Sequence, residues 1–152
     1  MRLTYQILSL LISCLPSLLL ADDVPLDSRL AGIFWSPDKD AKIQFYPKGN
    51  EICAKIVWLE RPGKDINNPD PAQCERNLLG LEIFKGFRPS EGNTWVDGTV
   101  YDPDSGNTYR GKLWLSPEHP GRVSLRGYIG ISLFGRTEYL ERVEPASTGK
   151  QR

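Results

Sequence analysis

Between residues 32 and 143, apolar and polar side chains alternate in short runs, and most runs end in Pro, Gly, Asn or Asp. Ala41, Ile43 and Phe45 alternate with Lys42, Gln44 and Tyr46, and Ile52, Ala54, Ile56 and Trp58 share one side of the next run. A period of two is the mark of a strand with one face on a core. The pattern predicts eight strands, over residues 32–35, 41–46, 51–59, 79–87, 94–101, 108–116, 122–129 and 136–143. Turn residues separate them, as in Ser36-Pro37-Asp38-Lys39-Asp40 and Asp102-Pro103-Asp104-Ser105-Gly106-Asn107. No amphipathic helix of ordinary length interrupts the series. Short turns between successive strands favour an antiparallel meander, and eight strands close into an up-and-down barrel without unpaired edges. The expected fold is therefore all-β, an eight-stranded antiparallel barrel, with a β-sandwich as the competing architecture. Several strands carry large residues on both faces, which leaves open which side of each is inside.

One segment departs from the pattern. Residues 60–77 hold Pro62, Gly63, Asn67, Asn68, Pro69, Asp70 and Pro71. Asp70 before Pro71 is an N-cap followed by a first-turn proline, so one helical turn is expected over 71–76. A loop of this length in a small domain is either functional or tied down. The Gly-rich stretch from Arg126 to Arg136 joins the last two strands and suits a hard bend.

The N-terminus sets the expected compartment. Arg2, the apolar run over 7–20 and Ala21 before Asp22-Asp23 read as a secretory signal over 1–21. A leader over 22–30, a barrel domain over 31–143 and a polar tail over 144–152 complete the division. Pro16 interrupts the apolar run, which is too short for an anchor, so no membrane span is expected once the signal is removed. The expected location is periplasmic or secreted. The alternative is a lipoprotein anchored at Cys14, since Leu11-Ile12-Ser13-Cys14 resembles a lipoprotein box. Without the signal, Cys53 and Cys74 remain, and a lone pair in an oxidising compartment is expected to form a disulfide that pins the long loop.

Charge and chemistry then narrow the function. Lys+Arg and Asp+Glu number 19 each, so no basic stripe suggests a nucleic-acid partner. The single histidine, His119, lies in the turn Pro117-Glu118-His119-Pro120-Gly121, and no Gly-x-Ser-x-Gly is present. Neither a nucleophile–histidine site nor a His/Cys metal centre is expected, and no cofactor is implied. Asp102-x-Asp104-x-Gly106 lacks the calcium-loop spacing. Glu82, Asp97 and Glu138 are the carboxylates considered for acid–base work, should two of them converge. Aromatic side chains on strands fill a barrel core or line an amphipathic cavity. Trp58, Tyr101, Trp114, Arg126 and Tyr128 are the candidate lining residues. Arg126 and Tyr128 share a face. Pointing inward they could hold a carboxylate, but Val123, Leu125 and Ile129 compete from the opposite face.

A resemblance spans residues 32–142. Gly32-Ile33-Phe34-Trp35-Ser36-Pro37-Asp38, Cys53-Ala54-Lys55-Ile56-Val57-Trp58-Leu59, Asn68-Pro69-Asp70-Pro71, Leu78-Leu79-Gly80-Leu81-Glu82-Ile83, Tyr101-Asp102-Pro103-Asp104-Ser105-Gly106-Asn107-Thr108-Tyr109 and Leu125-Arg126-Gly127-Tyr128-Ile129-Gly130 running on to Thr137 carry it. The chain resembles the domain-of-unknown-function 2147 family of exported bacterial proteins. That resemblance implies a lipocalin or fatty-acid-binding type of barrel and no established activity. Many members carry a cysteine where this chain has Tyr46-Pro47-Lys48, which places the pairing of Cys53 on Cys74. Fatty-acid-binding barrels use a late Arg-x-Tyr pair on a ligand carboxylate. Lipocalins pack a last-strand arginine over an aromatic of the first, which maps to Arg142 over Phe34 or Trp35. The leading expectation is non-covalent binding of a small hydrophobic or amphipathic ligand in the barrel mouth. The alternative is a filled barrel that meets a protein partner through the 61–77 loop.

Overall fold

The computed structural model describes residues 26–130 and 135–144. The expected signal, Cys14 and most of the tail lie outside the described residues. The strands are β1 (Ile33–Trp35), β2 (Ala41–Lys48), β3 (Glu51–Leu59), β4 (Glu82–Pro89), β5 (Thr94–Asp102), β6 (Asn107–Leu115), β7 (Arg122–Tyr128) and β8 (Arg136–Arg142). Each pairs antiparallel with the next, and β8 returns to β1, which closes the barrel. Among the described residues the helical element is a single 3-10 turn over Pro71–Gln73, shorter than expected, with Asp70 accepting from the Ala72 N–H at 3.0 Å.

The barrel wall follows the period-two pattern, with four shifts of register, one from β3, two from β4 on either side of Phe84, and one from β5. Extra residues in β3, β4 and β5 shift the register beside Ile43, Phe84 and Trp95. In β4 the shift between Phe84 and Phe87 coincides with Gly86 at φ 73°, and the one in β5 with Asp97 at φ 62°. Such bulges add twist and turn the next side chain to the other face. Phe84 and Phe87 therefore both point inward, although they are three residues apart.

A row of aromatic rings runs through the interior. Phe34 meets Phe45 edge-on at 5.6 Å between centroids, Phe45 meets Phe84 at 5.8 Å, and Phe84 meets Phe87 at 6.1 Å. These separations are in the favourable range for ring pairs. Ile43, Ile52, Leu113, Val123 and Leu140 surround the row, each at least 97 % buried. The Phe87 ring fits because Gly98 and Gly111 face each other across β5 and β6. A Cβ on Gly98 would lie 2.4 Å from that ring, and one on Gly111 2.7 Å. The two glycines form the seat for the fully buried Phe87 ring.

The end that holds the β2–β3, β4–β5 and β6–β7 turns is closed by the leader, whose Leu30 is fully buried. Arg142 lies with its guanidinium 4.7 Å from the centroid of the Phe34 ring and donates to the Ala31 and Arg29 carbonyls. The arginine-over-aromatic contact falls on Phe34, one of the two rings expected. The opposite end carries the β1–β2, β3–β4, β5–β6 and β7–β8 connections.

Candidate functional site

The 60–81 connection folds back on itself before it reaches the barrel wall. Asp65 N–H donates to the Arg76 carbonyl at 3.1 Å, Leu78 N–H donates to the Gly63 carbonyl at 3.0 Å, and Lys64 and Asn77 form a bridge. Asn67 packs on the β5–β6 turn, where its side-chain amide donates to the Pro103 and Asp104 carbonyls at 3.2 and 2.9 Å. Gly106 at φ 71° allows that approach, since a Cβ there would sit 1.9 Å from the Asn67 carbonyl oxygen.

The centre of the loop is Asp65, whose relative exposure is 0 %. The Tyr101 hydroxyl donates to its Oδ1 at 2.6 Å. Asn68 Nδ2 and Arg76 Nε donate to Oδ2 at 2.7 and 2.8 Å, and Arg76 Nη2 lies 2.7 Å from the same oxygen. Burial alone would raise the Asp65 pKa, but the Tyr101, Asn68 and Arg76 donors and the Arg76 charge outweigh it and hold the carboxyl below its ordinary value. Burial, with the Asp65 carboxylate next, pushes the Tyr101 hydroxyl upward.

This network does the work expected of a disulfide. Cys53 and Cys74 are both free thiols, so the expected Cys53–Cys74 bond is not formed. Cys53 is buried on the outer side of β3, opposite Tyr46, and burial raises its pKa. Cys74 Sγ instead donates within its own loop, to the Asn68 and Asp70 carbonyls at 3.5 and 3.8 Å.

Between the braced loop and the outer wall of β4–β6 lies a cleft of about 300 Å³. Asn68, Pro69 and Arg76 form its loop side. Glu82, Ile83 and Lys85 of the β4 segment, Thr99 and Tyr101 of β5, and Thr108 of β6 form its floor. Glu82 accepts from the Tyr46 hydroxyl and from Lys48 Nζ at 3.2 Å, and Lys85 Nζ lies 4.0 Å away. Burial opposes ionisation of Glu82, but the Tyr46 and Lys48 donors prevail and lower its pKa. Burial, followed by Glu82, moves Tyr46 far above the usual phenol range. Lys55 lies over the Tyr46 ring at 5.4 Å. The cleft thus combines ionised Glu82, the cations Lys85 and Arg76, three hydroxyls and the apolar surface of Ile83, Pro69 and the Tyr101 ring. Such a surface can hold a small amphipathic molecule by hydrogen bonds and apolar contact.

The five candidate lining residues do not converge. Tyr101 lines the cleft. Trp58 lies on the outer wall, 39 % exposed, edge-on to Trp35 at 5.6 Å with Lys42 Nζ 4.9 Å from its ring. Trp114 also faces outward, between Leu113 and Leu115 of the core, and is paired with Thr94 and Ser124. Arg126 and Tyr128 alternate with the buried Val123 and Leu125, so both take the outer side. Arg126 Nη1 donates to Thr137 Oγ1 at 2.9 Å. The inward Arg-x-Tyr arrangement is absent because the apolar positions of β7 take the interior.

Of the three carboxylates considered for acid–base work, Glu82 lines the cleft, Asp97 pairs loosely with Arg110 at 4.0 Å, and Glu138 pairs with Arg136 on β8. His119 sits in the β6–β7 turn, as the sequence suggests. Among the described residues, no group of three or more His, Cys, Asp or Glu side chains is placed to hold a metal ion. Among the same residues, no helix is long and apolar enough to cross a membrane.

Residues 32–142 match the model of a family described as an uncharacterized protein conserved in bacteria, DUF2147. The chain belongs to the DUF2147 family. Among solved structures it is similar to HP1028 from the human pathogen Helicobacter pylori, described as belonging to the lipocalin family. The TM-score is 0.67 at 18 % identity, over 76 % of this chain and 83 % of that one. The likeness is one of fold, and this DUF2147 barrel is lipocalin-like in strand order and closure. No curated protein matches the chain.

Proposed function

We propose that this protein binds a small amphipathic ligand non-covalently and without chemistry, in the outer cleft between the Asp65-braced loop and β4–β6. The carrying observation is the fully buried Asp65 carboxylate, held by three side chains from the loop and the barrel wall. Burying a charge is expensive unless it is fully paired. Here it fixes one wall of the cleft against the other, so the groups that would meet a ligand are held in place before it arrives. The phenylalanine row across the waist supports placing the ligand outside the barrel. The cleft, about 300 Å³, is at the small end for ligand sites, which suits a short-chain amphiphile with an anionic head on Lys85.

Calorimetric titration with decanoate tests this reading. Wild type should bind, and Lys85→Glu should weaken binding by at least about tenfold, the equivalent of one charge-assisted hydrogen bond. Equal affinity in the two proteins would count against the cleft. A second reading is a protein contact through the same loop, supported by Ile66 at 69 % and Leu79 at 59 % exposure. Export to the periplasm or beyond is part of the proposal and rests on the signal-like residues 1–21. An intact mass starting at Asp22 would support it, and one retaining Met1 would not.

A further inference from the structure

The barrel closes through a short seam. β1 has three residues, and β8 meets it at only two positions, Phe34↔Arg142 and Trp35↔Glu141. The cause is in the sequence. If β1 continued, Pro37 would lie opposite Tyr139, and proline has no N–H to give. Instead Ser36 N–H donates to the Ala41 carbonyl at 2.9 Å and the chain turns into β2, with Lys39 at φ 61°.

β8 runs on past this point to Arg136, paired on its other side with β7 as far as Gly127. Two hydrogen bonds set which residues face the seam. Arg142 N–H donates to Gly121 on the β7 side, whereas Val143 N–H donates to Ile33 on the β1 side. By alternation the N–H and C=O groups of Tyr139 and Thr137 also face the β1 side. Among the described residues, none pairs with them there. Tyr139 is 48 % exposed.

We propose that this free edge of β8 docks an extended segment of a partner protein. The segment adds to the wall as a strand beside Thr137 and Tyr139, in line with β1, and carries a basic side chain opposite Glu138. Unpaired strand edges are templates for added strands. Charge selects the occupant. Glu138 lies opposite the buried Leu125, so its side chain is on the inner face of the edge. A second copy using the whole free edge would pair antiparallel about Glu138 and set the two Glu138 carboxylates face to face. Like charges directly opposite destabilise a strand pair. A foreign strand with Lys or Arg at that position makes the opposite, attractive contact, next to the Glu138–Arg136 ion pair.

Amide hydrogen exchange by NMR on the full-length protein tests the proposal, with acetyl-Thr-Val-Lys-Val-Thr-amide as the probe peptide. Thr137 and Tyr139 amides should exchange fast in the dilute free protein and slow on addition of the peptide. A peptide N-methylated at both valines, which cannot donate to the edge, should have no effect, and one with Glu for Lys should bind more weakly. Slow exchange at both amides in the dilute free protein would overturn the proposal. So would protection that grows with protein concentration, which means self-pairing, or no slowing with the Lys peptide.

Discussion

Asp65→Asn tests the brace under the cleft. The substitution keeps the shape of the side chain and removes its charge. One oxygen becomes an NH₂ group, which must face either the Tyr101 hydroxyl at Oδ1 or the Asn68 and Arg76 donors at Oδ2. With the NH₂ group at the Oδ2 position, donor meets donor at three contacts, Asn68 Nδ2, Arg76 Nε and Arg76 Nη2. Breaking a buried ion pair by removing one partner costs about 3–5 kcal/mol. Arg76 is 35 % exposed and can partly rehydrate, so the loss should lie near the lower end, about 3 kcal/mol. Urea unfolding gives the global value. Amide exchange at Asp65 and Leu78, whose N–H groups hold the loop together, shows whether the loop opens before the barrel. The pH dependence carries a sign. The folded Asp65 pKa is lowered, so its contribution is complete above its ordinary value of 3.8 and is lost as pH falls through the folded value. The stability gap between wild type and Asp65→Asn should therefore be full at neutral pH and shrink below about pH 4. A loss under about 0.5 kcal/mol, or a gap independent of pH, would refute the account of the brace.

Three further outcomes follow from the packing and the thiols. Gly98→Ala drives a methyl into the Phe87 ring and should cost about 1–3 kcal/mol in urea unfolding, much of it recovered with Phe87→Leu. Arg142→Ala removes the cation over Phe34 and the donor to two leader carbonyls, and should lower stability by about 2 kcal/mol and speed amide exchange at Leu30. A thiol-specific reagent should label Cys74 in the folded protein and Cys53 only on unfolding, because Cys53 is 98 % buried and its pKa is raised. Equal labelling of the two in the folded state would contradict their placement.

The strand order and the barrel were legible because a period of two recurs along β2, β6 and β7, and turn residues punctuate it. The irregular strands were harder. Trp58 follows Ile52, Ala54 and Ile56 in strict alternation, yet the extra residue in β3 puts it on the outer wall, opposite Lys42. The β4 segment begins at Glu82 rather than residue 79, because Gly80 at φ 85° turns the chain there. Phe84 and Phe87 share the interior through the Gly86 bulge, which no alternation rule encodes. For Arg126 the neighbours Val123 and Leu125 already signalled an outward side chain. The cleft was the least legible part. Asp65 meets Tyr101 across 36 positions in sequence, and a carboxylate in a polar loop carries no mark of burial. The composition of the loop did say that something must tie it down. The cysteines were the visible candidates, and Asp65, Asn68 and Arg76 perform the task.

The most direct measurement is methyl and amide NMR mapping of decanoate on the full-length protein. Ligand in the outer cleft predicts shifts at Asn68, Ile83, Lys85, Thr99 and Tyr101, with the Ile43, Ile52, Leu113 and Val123 methyls unmoved. Shifts concentrated on those inner methyls would place the ligand inside the barrel and contradict the account.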